Sequence, residues 1–145
     1  MNHSSKHSTT SINSSALLWG TFFLATSILL GAFAAHAVEQ IWELKRLKTF
    51  QTGVQYQQLQ GLGLLIIGTL EMVRPALLHK KSFLWAKRLL VTGVFLFSGC
   101  CYLYAFSTIK TFAMIVPFGG LSMIAGWSLL CFIFFRDKYG NKDSL

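Results

Sequence analysis

Gly31 to Val38, GAFAAHAV, closes a long apolar run with small residues around one histidine, just ahead of the first dense charges of the chain. Two readings compete for it. Ala32-Phe33-Ala34 and Ala35-His36-Ala37 both fit a small-x-small signal-peptide cleavage pattern, with Lys6 as a weakly basic leader. Retained, the same residues end the first span of a membrane protein and leave His36 at one rim. The 23 uncharged residues from Ala16 to Val38 would form a helix about 34 Å long, enough for a hydrocarbon core of roughly 30 Å.

Two features favour retention. The residues ahead of the run, MNHSSKHSTTSINSS, are long and polar for a signal-peptide leader, and the run outlasts a usual signal-peptide core before any cleavage site is reached. Ser27, Gly31 and Ala35 also recur at i, i+4 and i+8. Such a ladder lets a neighbouring helix approach closely in lipid, where apolar burial gives little drive, and a cleaved peptide has no use for it.

Composition agrees. Of 145 residues 53% are hydrophobic and 12% charged, and the charges fall between apolar runs, which is the pattern of membrane spans. The net charge of +8 comes without a soluble basic face or a nucleic-acid module, so it is assigned to span flanks and lipid head groups. No nucleic-acid partner is expected. Cys100, Cys101 and Cys131 are odd in number, lie inside apolar runs and show no metal spacing, so they read as packing residues.

Working outward, residues 1–15 read as a disordered tail, its His3 and His7 too few for a metal site, with Ser14 or Ser15 as the first helix N-cap. Glu39 to Gly53 alternates charges with Trp42, Leu47 and Phe50, as an interfacial connector would. Spans are expected at about 16–38, 54–73, 89–108 and 112–135, giving an all-α, four-helix transmembrane bundle, with 136–145 as a polar C-terminal tail. In the second span, Tyr56, Gln60, Gly63 and Ile67 share a face, which points Gln60 into the bundle. Glu71 is read as an i, i+3 ion pair with Arg74 or, alternatively, as a proton or cation site.

Arg74 to Arg88 holds five bases and reads as a loop, and Lys110 marks a very short turn between spans three and four. Pro117, Gly119 and Gly120 predict a kink or local unwinding, and Ser122 with Gly126 a small-xxx-small face. Leucine at Gly120 or Gly126 is therefore expected to disturb assembly more than loss of the Cys131 thiol. With the N-terminus inside, nine bases lie on the cytoplasmic side and four outside, so both termini are expected to be cytoplasmic. That topology gathers the candidate polar and packing residues Gly31, His36, Tyr56, Gln60, Ser98, Gly99, Tyr102, Pro117, Gly119 and Gly120 in the outer half of the bundle, with Gly126 and Trp127 deeper.

Four blocks in order, GAFAAHAV, FQTGVQYQQLQGLGLL, FSGCCYLYAF and PFGGLSMIAGW, resemble the successive signatures of domain-of-unknown-function family 423, small integral membrane proteins. The resemblance covers roughly residues 20–130 and implies a retained first span, four helices and a bacterial cell-membrane location. It brings no reaction, substrate or cofactor. The family pattern has Gly where Ala34 stands and His where Gln60 stands, and glutamine keeps a hydrogen bond but cannot exchange a proton at neutral pH.

No nucleophile with its base, carboxylate pair, metal spacing or phosphate loop can be assembled, so no catalytic residue, metal or cofactor is expected. The leading expectation is a non-catalytic structural, accessory or partner-binding bundle in contact with the lipid bilayer, as a homo-oligomer or beside another membrane protein. The alternative is a small transporter or proton-coupled channel acting as an oligomer, with His36, Tyr56, Gln60 and Tyr102 as its polar path beside the broken fourth helix. An enzyme using His36 ranks third.

Overall fold

In the computed structural model, which describes residues 14–75 and 81–139, all regular structure is helical. Helix α1 (Ser15–Phe33) runs on into a π-helical turn at Ala34–Val38. Helix α2 (Leu44–Val73) is 30 residues long. The third long helix is built from α3 (Lys81–Val94), a π-helical turn at Phe95–Gly99 and α4 (Cys100–Ser107). Helix α5 (Lys110–Tyr139) completes the bundle.

Three of these, Ser15–Val38, Lys81–Ser107 and Lys110–Lys138, are long and apolar enough to cross a membrane. Helix α2 is long enough, but its basic first turn and its five glutamines make it more polar. It answers this by burying one side against α1 and the third helix.

The expected connector over Glu39 to Gly53 is corrected here. The chain turns at residues 39–43, and the alternating residues from Leu44 onward are the first turns of α2, burying Leu47, Phe50 and Gly53. Likewise, the expected loop over Arg74 to Arg88 is helical from Lys81. Of the expected N-terminal tail only Ser14 and Ser15 are described; Ser14 caps α1, its hydroxyl accepting from the Leu17 N–H. His3 and His7 lie outside the described residues, as does the C-terminal tail beyond Tyr139. The tail's first residues, Arg136 to Lys138, continue α5.

Helix α1 pairs with α2, and α3 pairs with α5. Both pairs are antiparallel and close where a side chain is missing. A Cβ at Gly20 would lie 2.9 Å from the Gly61 carbonyl oxygen, and one at Gly126 would lie 2.8 Å from Leu90 Cδ2 and 3.1 Å from the Ala86 oxygen. Apolar side chains from all four long helices meet around Phe23, Leu64, Leu90 and Leu130. A second cluster, around Phe50, Leu47 and Ala105, fills the end near Trp42.

Pro117 does not unwind the chain, because α5 is continuous through it. The irregularity falls instead on the opposing helix, in the π-helical turn that carries Phe97. That wider turn brings the Phe97 backbone against α5 at Gly119, where a Cβ would sit 2.8 Å from Phe97 Cα. At Gly120 the nearest atoms are ring carbons of Phe97 at 3.8 and 3.9 Å, an ordinary contact. Of the two, Gly119 rather than Gly120 is therefore the position where even a Cβ would clash. Turn residue Thr108 has φ 59° and caps α4 through its N–H to the Tyr104 oxygen.

Gly119→Leu should lower the stability of the detergent-solubilised protein by about 1–3 kcal/mol, the usual range for overpacking, whereas Gly120→Leu should change it little. Denaturation monitored by circular dichroism in mild detergent compares them.

Candidate functional site

The interior polar groups fall at three depths, and each set joins different helices. At the middle, Gln57 is buried on α2 and donates from Nε2 to the Phe23 carbonyl oxygen (3.0 Å) and to Thr26 Oγ1 (2.7 Å) on α1. Its Oε1 accepts from the Tyr102 hydroxyl on α4 at 2.8 Å. One amide thus ties three helices. A turn further along, buried Gln60 accepts at Oε1 from Trp127 Nε1 on α5 at 3.0 Å. The Trp127 ring lies over Gly63, where a Cβ would stand 2.6 Å from the ring.

At one end of the bundle, Glu71 is 1% exposed. Its Oε1 pairs with Lys87 Nζ on α3, and its Oε2 accepts from the Ser14 hydroxyl. Lys87 also reaches Ser15 Oγ at 3.4 Å. A cavity of about 240 Å³ lies beside it, lined by Ser15, Trp19, Leu84, Lys87, Arg88 and Thr92 among others. The expected Glu71–Arg74 pair is not formed; Arg74 pairs instead with Asp137 on α5 at 3.2 Å. Distance along one helix favours Arg74, but Lys87 sits on the buried stripe of α3 with Phe83, Leu90 and Val94, directly across from Glu71.

At the opposite end, Arg46 donates from Nε (2.9 Å) and Nη2 (2.7 Å) to the Ala105 carbonyl oxygen. That carbonyl belongs to the last turn of α4, where helix oxygens lack intrahelical partners and attract cations. The guanidinium also stacks over Trp42, 5.0 Å from the ring centroid. Phe33, Phe50 and Phe106 pack around Trp42.

The residues singled out by sequence do not form one site. His36 is exposed on the π-helical turn, and no hydrogen bond or ion pair is seen for it among the described residues. Tyr56 is 41% exposed and stacks on Phe97 with ring centroids 4.5 Å apart. Ser98 is buried with its hydroxyl unpaired. A Cβ at Gly31 would meet Val54 at ordinary distance, one at Gly99 would have no neighbour within 4 Å, and Pro117 is exposed. Ala35 is exposed while Ala34 is buried, so the small-residue face of α1 continues through Ala34.

Sequence reasoning missed Gln57 and Lys87. Gln57 stands midway between Gly53 and Gly61 at i±4, a signal that it shares their close-packed face. Lys87 falls in register with Phe83 and Leu90.

An all-helical bundle with three membrane-length apolar helices, joined inside by amides and one ion pair, defines a multi-pass membrane protein. The family model described as "Protein of unknown function (DUF423)" matches residues 30–120, and the chain belongs to that family. It is similar to the UPF0382 membrane protein SH2409 of Staphylococcus haemolyticus, 35% identical over 120 residues that cover 83% of this chain and 94% of that protein. It is also similar to the UPF0382 inner membrane protein YgdD of Escherichia coli K12, 33% identical over 115 residues, covering 79% and 82%. A UPF0382 membrane protein of Haemophilus influenzae is 32% identical over 111 residues, covering 77% and 86%. No solved structure matches the chain.

Lys87→Met should destabilise the bundle by about 3–5 kcal/mol, because it leaves the Glu71 carboxylate buried without its cation. Adding Glu71→Gln to it should recover most of that loss. Unfolding by denaturing detergent, followed by gel mobility, would show whether the second change restores stability.

Proposed function

We propose that this protein is a non-catalytic structural or accessory bundle of the bacterial inner membrane, built to hold a membrane partner in place. The observation that carries this reading is the use of the interior polar groups. Gln57, Gln60, Tyr102 and Trp127 bond to each other's helices. Both oxygens of Glu71 are occupied by groups of the same chain. A carboxylate filled by Lys87 and Ser14 pins α1, α2 and α3 together at one end, and a substrate or proton path would have to break that pin. Ionisable groups inside membranes mark transport paths when they face a route; here the pair faces its own neighbours.

The inner-membrane location is supported by the relative named as an inner membrane protein. The excess of bases at the Glu71 end supports placing both termini in the cytoplasm. The transporter reading draws its support from the cavity beside Lys87. It loses support from the separation of His36 and Tyr56, both exposed, from Gln60.

Purified protein in sealed vesicles should give no proton or solute flux above that of protein-free vesicles. Flux that falls on Lys87→Met in protein retaining its helical signal would overturn the proposal. A green fluorescent protein fused to the C-terminus should fluoresce in bacteria, and an alkaline phosphatase fused there should be inactive.

A further inference from the structure

Gln51, Gln55 and Gln58 differ from the other polar groups of the bundle. They follow one another at i, i+4 and i+7 on the outward side of α2, the first two exposed and Gln58 half-buried. With Lys48 they line a groove of about 410 Å³ whose other side is formed by Gly31 of α1 and Ala34 of the π-helical turn that follows it. No hydrogen bond is seen for these three amides among the described residues. The threonines of the same helix behave differently. Thr49, Thr52 and Thr69 each turn the hydroxyl back onto the carbonyl four residues earlier. A glutamine carries two donors and an acceptor at the end of a long stem, and these three are left open.

Their depth makes this costly. Gln57 bonds to Phe23 and Thr26, Val54 lies against Gly31 and Gly61 against Gly20, so Gln55 is level with the residues of α1 between Thr26 and Gly31, and Gln58 with those around Phe23 to Thr26. The first span runs Ser15–Val38, which puts both amides within about 6 Å of its middle. There the hydrocarbon offers no hydrogen bonds, and an open amide is strongly disfavoured.

We propose that a second copy of this chain covers the groove, forming a two-fold dimer along α2 with the glutamines paired across it. Copies of one membrane protein insert with the same orientation, so their two-fold axis lies along the membrane normal and equal residues meet at equal depth. Glutamine is its own complement: the Nε2 of one copy donates to the Oε1 of the other. Gly31 and Ala34 leave room for the partner's helix. Lys48, about two turns from Gln55 towards the Trp42 end, reaches the head-group level, where phosphate and water separate two like charges. The proposal rests on the partner-binding reading above and names its partner.

The test uses the full chain in vesicles of phosphatidylethanolamine and phosphatidylglycerol. In a Cys131→Ser background, Gln55→Cys should give at least tenfold more oxidatively cross-linked dimer than Leu121→Cys, an exposed position on α5. Independently, energy transfer between labelled copies on dilution into excess lipid should show the parent as a dimer, with Gln55→Leu/Gln58→Leu dissociating at about tenfold higher density. Equal cross-linking at both positions, a monomeric parent, or a leucine variant that associates as tightly as the parent would each overturn the proposal. Thermal melting and flux on the same samples report on the structural reading separately, since these outward changes leave the interior bonds in place.

Discussion

Gln57 bears on most of what the bundle does. In hydrocarbon, apolar side chains gain little by turning away from lipid, so helices associate through close backbone contact and hydrogen bonds between them. Gln57 supplies both at once. Its flanking glycines let α2 approach its neighbours: a Cβ at Gly53 would stand 2.8 Å from the Tyr102 ring, and one at Gly61 3.2 Å from the Gly20 oxygen. The approach brings Phe23, Thr26 and Tyr102 into reach of one amide. Without the glycines the bond lengths fail, and without the amide the approach would leave the partly buried Tyr102 hydroxyl unpaired.

The two ends repeat the solution with charge. Arg46 meets a helix-end carbonyl and an indole face, and Lys87 meets a carboxylate that also holds the first helix through its cap. Each end therefore fixes a terminus that the bilayer interior could not satisfy. Between them, Gln60 and Trp127 connect α2 with α5, which otherwise belong to different helix pairs. Gln57, Gln60, Glu71, Lys87 and Arg46 each connect one helix to another, while His36 and Tyr56 are exposed.

The fold class was legible because charges and apolar runs alternate in this chain, so membrane-length helices can be counted along it. Details that depend on neighbours were not. The first turns of α2 read as a connector, since an amphipathic stretch looks the same whether it lies on the membrane or begins a buried helix. Tyr56 stood in for Gln57 because a face drawn through Gln60 at four-residue spacing passes through Tyr56, whereas the i−3 neighbour is the one turned inward. Glu71 was matched with Arg74 because only neighbours on one helix are visible in sequence, while the cation it uses lies on another helix. Pro117 and its glycines did signal an irregular contact, but the irregularity lies in the π-helical turn around Phe97, which meets α5 at Gly119.

The structure thus describes a small membrane bundle whose interior amides act as ties, while Gln51, Gln55 and Gln58 lie outward with no hydrogen bond seen for them among the described residues. The most direct test of the central claim is a double-mutant cycle between Gln57→Leu and Tyr102→Phe, read as unfolding free energy in mixed detergent and lipid. If the amide ties the helices, each single change lowers stability and the pair shows a coupling of about 0.6–1.7 kcal/mol, the range for hydrogen bonds between membrane helices. A coupling of zero, with Gln57→Leu as stable as the parent, would contradict it.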